Sequence, residues 1–176
     1  MNGKVIVTGL LAVALIGGAG LYYSLEYAYY APVPADSAEA RIEMTSIVTG
    51  KPEMLPIEDF QGIDADTSPL RYRACFKLPT SMATLTESFV IYQKPTPLVA
   101  PTQFSCFDAG AIADALKSDK AVAFLGQKNI QYGIDRVIAV FDDGRAYAWN
   151  QMNHCGEVVY NGEPAPKGCP PPPETN

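Results

Sequence analysis

Hydrophobic and polar positions along this chain fall into two regimes. Residues 5–23 (VIVTGLLAVALIGGAGLYY) form a nineteen-residue run without a charged side chain. At about 1.5 Å of helical rise per residue, such a run covers about 30 Å, the thickness of a bilayer's hydrocarbon core. Beyond it the apolar residues come in short groups, several with the two-residue period of strands. Residues 41–48, with Ile42, Met44 and then Val48, read as a first strand. Residues 70–77 alternate Leu70, Tyr72, Ala74 and Phe76 against Arg71, Arg73, Cys75 and Lys77, which predicts a strand with one buried face. Residues 89–92 read as a brief apolar strand and 121–125 as a buried one. The strongest local signal is the pair RVIAVF and RAYAWNQ flanking Asp142-Asp143-Gly144, a hairpin whose turn suits positive φ. A last short strand is expected over 157–160, ending at Asn161-Gly162.

Helical signals are fewer. A short helix is predicted over 79–87, entered through Thr80 or Ser81, and Asp108 is a natural N-cap for 109–117 with Ile112, Ala115 and Leu116 facing inward. Residues 58–69 (EDFQGIDADTSP) and 94–103 (KPTPLVAPTQ) read as loops, the second broken by proline. The fold class is therefore α+β, with a mainly antiparallel sheet and one or two short helices. The chain divides into an anchor (1–25), a Pro- and Ala-rich linker (26–40), an α+β domain (41–169) and a Pro-rich tail (170–176).

The apolar run is longer than a cleavable signal's core, and Tyr22, Tyr23, Tyr27, Tyr29 and Tyr30 cluster where the helix leaves the membrane. Tyrosine favours the headgroup interface, so the run reads as a retained span. Lys4 precedes it, and no Lys or Arg follows until Arg41. That asymmetry places the N-terminus in the cytoplasm and the domain outside. Within the run, Ala14 and Gly18 stand in small-xxx-small register, with Gly17 and Gly20 beside them, a pattern that lets a second helix approach. Glycine is also common in membrane helices generally.

Net charge −6 and a pI near 4.7 exclude nucleic acid and anionic lipid surfaces as partners on electrostatic grounds. Four cysteines, Cys75, Cys106, Cys155 and Cys169, lie beyond the span, an even number suited to two disulfides in an oxidising compartment. Three pairings are possible; Cys75–Cys106 with Cys155–Cys169 closes the shortest loops.

Candidate chemistry is sparse. His154, the single histidine, adjoins Cys155, and imidazole with thiolate suits copper or zinc. No CxxC or HxxxH spacing completes a ligand set, and oxidised cysteines offer no thiolate, so a histidine at a hairpin exit is the simpler reading. No GxSxG elbow marks a nucleophile, and His154 alone limits any triad. Residues 64–68 (DADTS) open like a calcium loop, but Pro69 replaces the expected glycine and no glutamate closes it. Trp149, Asn150, Gln151, Asn153 and His154 form a polar and aromatic cluster suited to a protein contact, or to an edge that resists aggregation.

Residues 60–76 (FQGIDADTSPLRYRACF) and 132–158 (YGIDRVIAVFDDGRAYAWNQMNHCGEV) resemble an uncharacterised alphaproteobacterial family whose members have one N-terminal span and one small domain. The resemblance implies a Gram-negative periplasm and no activity. Two functions are expected from these readings. The first is a non-enzymatic, cofactor-free interaction or assembly module, bound to a protein partner at the inner membrane. The alternative is periplasmic copper or thiol handling centred on His154 and Cys155.

Overall fold

In the computed structural model, residues 3–173 are described; residues 1–2 of the predicted anchor and 174–176 of the predicted tail lie outside them. The apolar run forms helix α1 (Gly3–Tyr23), extended by one wide π turn over Ser24–Ala28. None of its side chains is buried, and Val13, Leu15 and Ile16 are more than 70% exposed. It is the one helix among the described residues long and apolar enough to cross a membrane. Beyond the helix's own adjacent backbone, no atom lies within 4 Å of where a Cβ on Gly17, Gly18 or Gly20 would sit, so this face meets no other part of the described chain.

The remainder is a six-stranded antiparallel sheet in the order β1-β4-β5-β8-β7-β6, with a small separate hairpin, β2-β3. Its strands are β1 (Ala31–Pro32), β2 (Glu43–Thr45), β3 (Pro52–Met54), β4 (Glu58–Asp64), β5 (Arg73–Lys77), β6 (Ala121–Gln131), β7 (Ile134–Phe141) and β8 (Arg145–Met152). The expected hairpin is β7–β8, with Val137 opposite Trp149 and Val140 opposite Ala146. Its turn needs Gly144, which sits at φ 85°. Helices α2 (Met82–Ser88) and α3 (Ala109–Lys117) start where expected. The Ser81 and Asp108 side chains accept from the backbone N–H groups of Thr84 and Ala111, the usual N-cap bond.

Both faces of the sheet are covered. On one, Tyr72, Phe76, Phe124, Ile138 and Val140 pack with Ile42 and Met44 of the β2 region and Leu85 of α2. On the other, Cys75, Val137, Ala139 and Trp149 pack with Phe104, Phe107 and Ile112 of α3. The expectation of one buried face for 70–77 is thus corrected. Arg73 and Cys75 are buried as well, because a second layer of chain lies over them.

Four other expectations change. Residues 58–64 are strand β4, not loop. Asp59 at φ 53° makes a bulge, after which Gly62 pairs with Ala74. Residues 157–160 belong to a helix, α4 (His154–Tyr160), because Asn153 caps it by accepting from Gly156 N–H. Residues 89–92 make single bridges at Phe89 and Ile91 instead of a strand. The presumed linker is docked onto the domain: β1 pairs Ala31 with Asp64, Ala40 is buried, and the Tyr72 hydroxyl donates to the Glu39 carbonyl.

Candidate binding cleft

Residues 89–107 cross one face of the sheet without repeating structure, with prolines at 95, 97 and 101. Prolines remove N–H groups, so between Tyr92 and Pro101 the strap makes no backbone bond within itself and depends on side chains from beneath. It begins on a sheet edge, where Tyr92 N–H donates to the Ala123 carbonyl at 2.8 Å. Next, Gln151 holds it at two points: its amide donates to the Lys94 carbonyl (3.0 Å), and its oxygen accepts from Thr96 N–H (2.8 Å). Arg73 then donates to the carbonyls of Leu98 (2.8 Å) and Val99 (3.2 Å). Thr102 donates through both N–H and hydroxyl to the Glu26 carboxylate, just beyond α1, and Gln103 donates to the Glu26 carbonyl. A disulfide from Cys106 to Cys75 of β5 ends the series.

Arg73 is 3% exposed and has no ion-pair partner among the described residues. Four carbonyls surround it instead, those of Leu70, Tyr72, Leu98 and Val99, and its guanidinium lies 5.8 Å from the Phe107 ring. Burial draws its pKa down to about 10, which leaves the cation charged at neutral pH.

Between the strap, the ends of β7 and β8, and the start of α4 lies a cleft of about 670 Å³. Its floor is a closed polar network. The buried Asp135 carboxylate accepts from Asn129 N–H (2.9 Å), the Asn153 amide (2.7 Å) and the Tyr92 hydroxyl (3.1 Å). Burial and then the neighbouring carboxylate push the Tyr92 phenol above its ordinary range, so it keeps its proton and continues to donate. Gly133 makes this corner possible: it sits at φ 75°, and a Cβ there would fall 2.4 Å from Gly156 Cα of α4. Leu70, Leu98, Leu125 and Met152 supply apolar walls, and Lys94, Lys128 and Glu157 the charged rim, with His154 beside them. A fixed polar floor, apolar walls and a charged rim are the features of a binding site.

Of the cluster expected to face a partner, Trp149, Asn150, Gln151 and Asn153 are all less than 9% exposed. That expectation is corrected: strap and sheet consume their hydrogen bonds. Trp149 Nε1 donates to Gln151 (3.0 Å), and Asn150 bridges Arg136 to the Pro69 carbonyl. Only His154 is exposed, as the first residue of α4. Cys155 is bonded to Cys169, which draws the tail toward α4, and the Tyr132 hydroxyl donates to the Pro170 carbonyl. Cys155 therefore offers no thiolate beside His154, and no group of three or more His, Cys, Asp or Glu side chains converges among the described residues.

Asp135, Tyr92, Arg73 and Glu26 were not singled out from the sequence. Asp135 did carry a signal, as a lone carboxylate opening an apolar run (GIDRVIAV), and so did Arg73, two residues from a cysteine expected to be bonded.

The chain belongs to DUF6446, a family of unknown function, whose pattern matches residues 42–170. No curated protein and no solved structure matches it.

Proposed function

We propose that this chain is a single-pass, membrane-anchored binding protein whose domain lies in the periplasm. There it engages a protein partner at the inner membrane through the strap cleft, without catalysis. The observation that carries this reading is the division of labour in the cleft. The buried polar groups are committed to hydrogen bonds, whereas Lys94 and Lys128 on the rim are exposed and outside any ion pair among the described residues. Asp135 is enclosed in the floor, so Lys94 and Lys128 face solvent against Glu157 alone, which suits a partner segment bearing carboxylates. The exposed apolar length of α1 supports the anchor, since lipid is the solvent in which such a surface is stable. Both disulfides support an oxidising compartment.

Affinity purification from mild-detergent membranes tests the reading. A stoichiometric partner is expected with the native chain and is lost when Lys94→Glu and Lys128→Glu are combined. A native chain isolated alone, with and without crosslinking, sinks the proposal. Thiol alkylation in intact cells tests the compartment: all four cysteines are expected to resist the reagent until reduced, and free thiols in situ would place the domain elsewhere.

A further inference from the structure

We infer that the tip of the strap, centred on Val99, is a second membrane contact that seats the domain on the outer rim of the bilayer crossed by α1. This inference rests on the anchor reading above.

Three observations point to lipid as the occupant. The first is position. Helix α1, at about 1.5 Å per residue over 21 residues, fills about 30 Å of hydrocarbon and brings the turn holding Glu26 to the headgroup level. Tyr23 and Tyr27 stack there at 5.8 Å. Glu26 binds Thr102 directly, and Val99 is three residues away, within about 10 Å even for extended chain. The second is chemistry. Residues 95–107 carry no charged side chain, and Val99 is 80% exposed beside half-buried Leu98 and Ala100. The third is the backbone, which is what most limits the approach of a loop to lipid. Of residues 97–101, Pro97 and Pro101 have no N–H. The carbonyls of Leu98 and Val99 are taken by Arg73, and that of Pro101 accepts from Phe104 N–H. Arg73 thus sets the loop's conformation and also removes two of the polar groups that would otherwise have to be dehydrated.

Such a contact is apolar, not electrostatic, in keeping with the net negative charge. Leu98 lines the cleft, so seating Val99 brings the cleft to the membrane surface, where a partner anchored in the same bilayer is met.

The test uses tryptophan emission from the full chain in phosphatidylcholine nanodiscs with increasing fractions of acyl-brominated lipid. Trp149 is fully buried and supplies a constant background. Leu15→Trp, at mid-helix, is expected to lose emission as brominated lipid rises; if it does not, the anchor reading fails and takes this inference with it. Val99→Trp is expected to emit further to the blue than an exposed indole and to lose emission with brominated lipid. If Leu15→Trp is quenched while Val99→Trp stays unquenched and open to aqueous iodide, the second contact is wrong and the anchor stands. A blue-shifted Val99→Trp indifferent to bromine would mean that protein, such as a second copy of the chain, covers the tip, which also overturns the inference.

Discussion

The β7–β8 hairpin and the strap lie against each other, and they are ordered in opposite ways. The hairpin has a regular ladder, from Ile134 opposite Met152 to Val140 opposite Ala146, and its side chains are buried on both faces. Its stability is spread over many equivalent contacts. The strap has no ladder beyond its first residues. It is held at separate points by Gln151, Arg73, Glu26 and the Cys75–Cys106 bridge. A regular element tolerates the loss of one bond; a strapped one fails locally when one clamp goes. The mutational response should separate the two regions on this basis.

The largest effect belongs where they meet. Trp149 is a hairpin residue, fully buried, and its indole also supports Gln151. Trp149→Ala is expected to cost about 3–5 kcal/mol in chemical denaturation, and to loosen strap and hairpin together. Cys75→Ser with Cys106→Ser comes next, at about 2–4 kcal/mol, since the bridge closes a 31-residue separation in the unfolded chain. Limited proteolysis of this variant should cut first within 95–105 while β7–β8 stays intact. First cleavage in the hairpin would break the comparison.

The legibility of the sequence followed the same division. The hairpin, α2 and α3 were readable because their signals are local: alternation around Asp-Asp-Gly, and Ser81 or Asp108 before a helical run. The strap's composition was readable too, but not its attachment. Arg73 looked like a solvent-facing position because alternation cannot show that a second layer covers that face. Gln151 and Asn153 looked like surface chemistry, since a buried amide and an exposed one are the same letter. The physical clue is the strap itself. A segment with prolines at 95, 97 and 101 leaves carbonyls unpaired, so donors must come from the sheet below. Strand β4 was hidden because two neighbours, β1 and β5, and not its own turn-rich residues, make it a strand. Helix α4 was hidden because Val158-Val159-Tyr160 favours strand locally, and the Asn153 cap together with the Cys155–Cys169 bridge overrides that preference.

Arg73→Met sharpens the comparison by removing one clamp while filling much of the same space. The carbonyls of Leu98 and Val99 lose their donor, with an expected cost of about 1–3 kcal/mol. Amide exchange should quicken at Thr96 and Thr102, which are bonded only to the side chains of Gln151 and Glu26, and stay slow along β7 and β8. Equal acceleration in both regions would show that strap and hairpin open as one unit.

The smallest effect, Tyr92→Phe, distinguishes the two regions through pH. At neutral pH it removes one hydrogen bond to the Asp135 carboxylate, worth about 1.5 kcal/mol, the low end for a charged acceptor that has two other donors. Both Tyr92 of the strap and Tyr72 of the core have phenols raised by burial, Tyr72 to about 12. A raised folded pKa means that the unfolded chain ionises first. Stability from each phenol is therefore complete below about pH 10 and declines as pH rises toward the folded value. Each unit above pH 10 costs the native chain about 1.4 kcal/mol per such tyrosine, and phenylalanine does not titrate. Tyr92→Phe should thus be less stable than the native chain at pH 7, match it about one unit above pH 10, and exceed it beyond. Tyr72→Phe should show the same crossing, because its hydroxyl also makes one bond, to the Glu39 carbonyl. Denaturation midpoints collected from pH 7 to 11.5 decide the matter. A Tyr92→Phe curve that stays parallel to the native one would mean that the strap opens before its tyrosine titrates. The clamp at Asp135 would then be weaker than its geometry implies, while the core tyrosine still crosses.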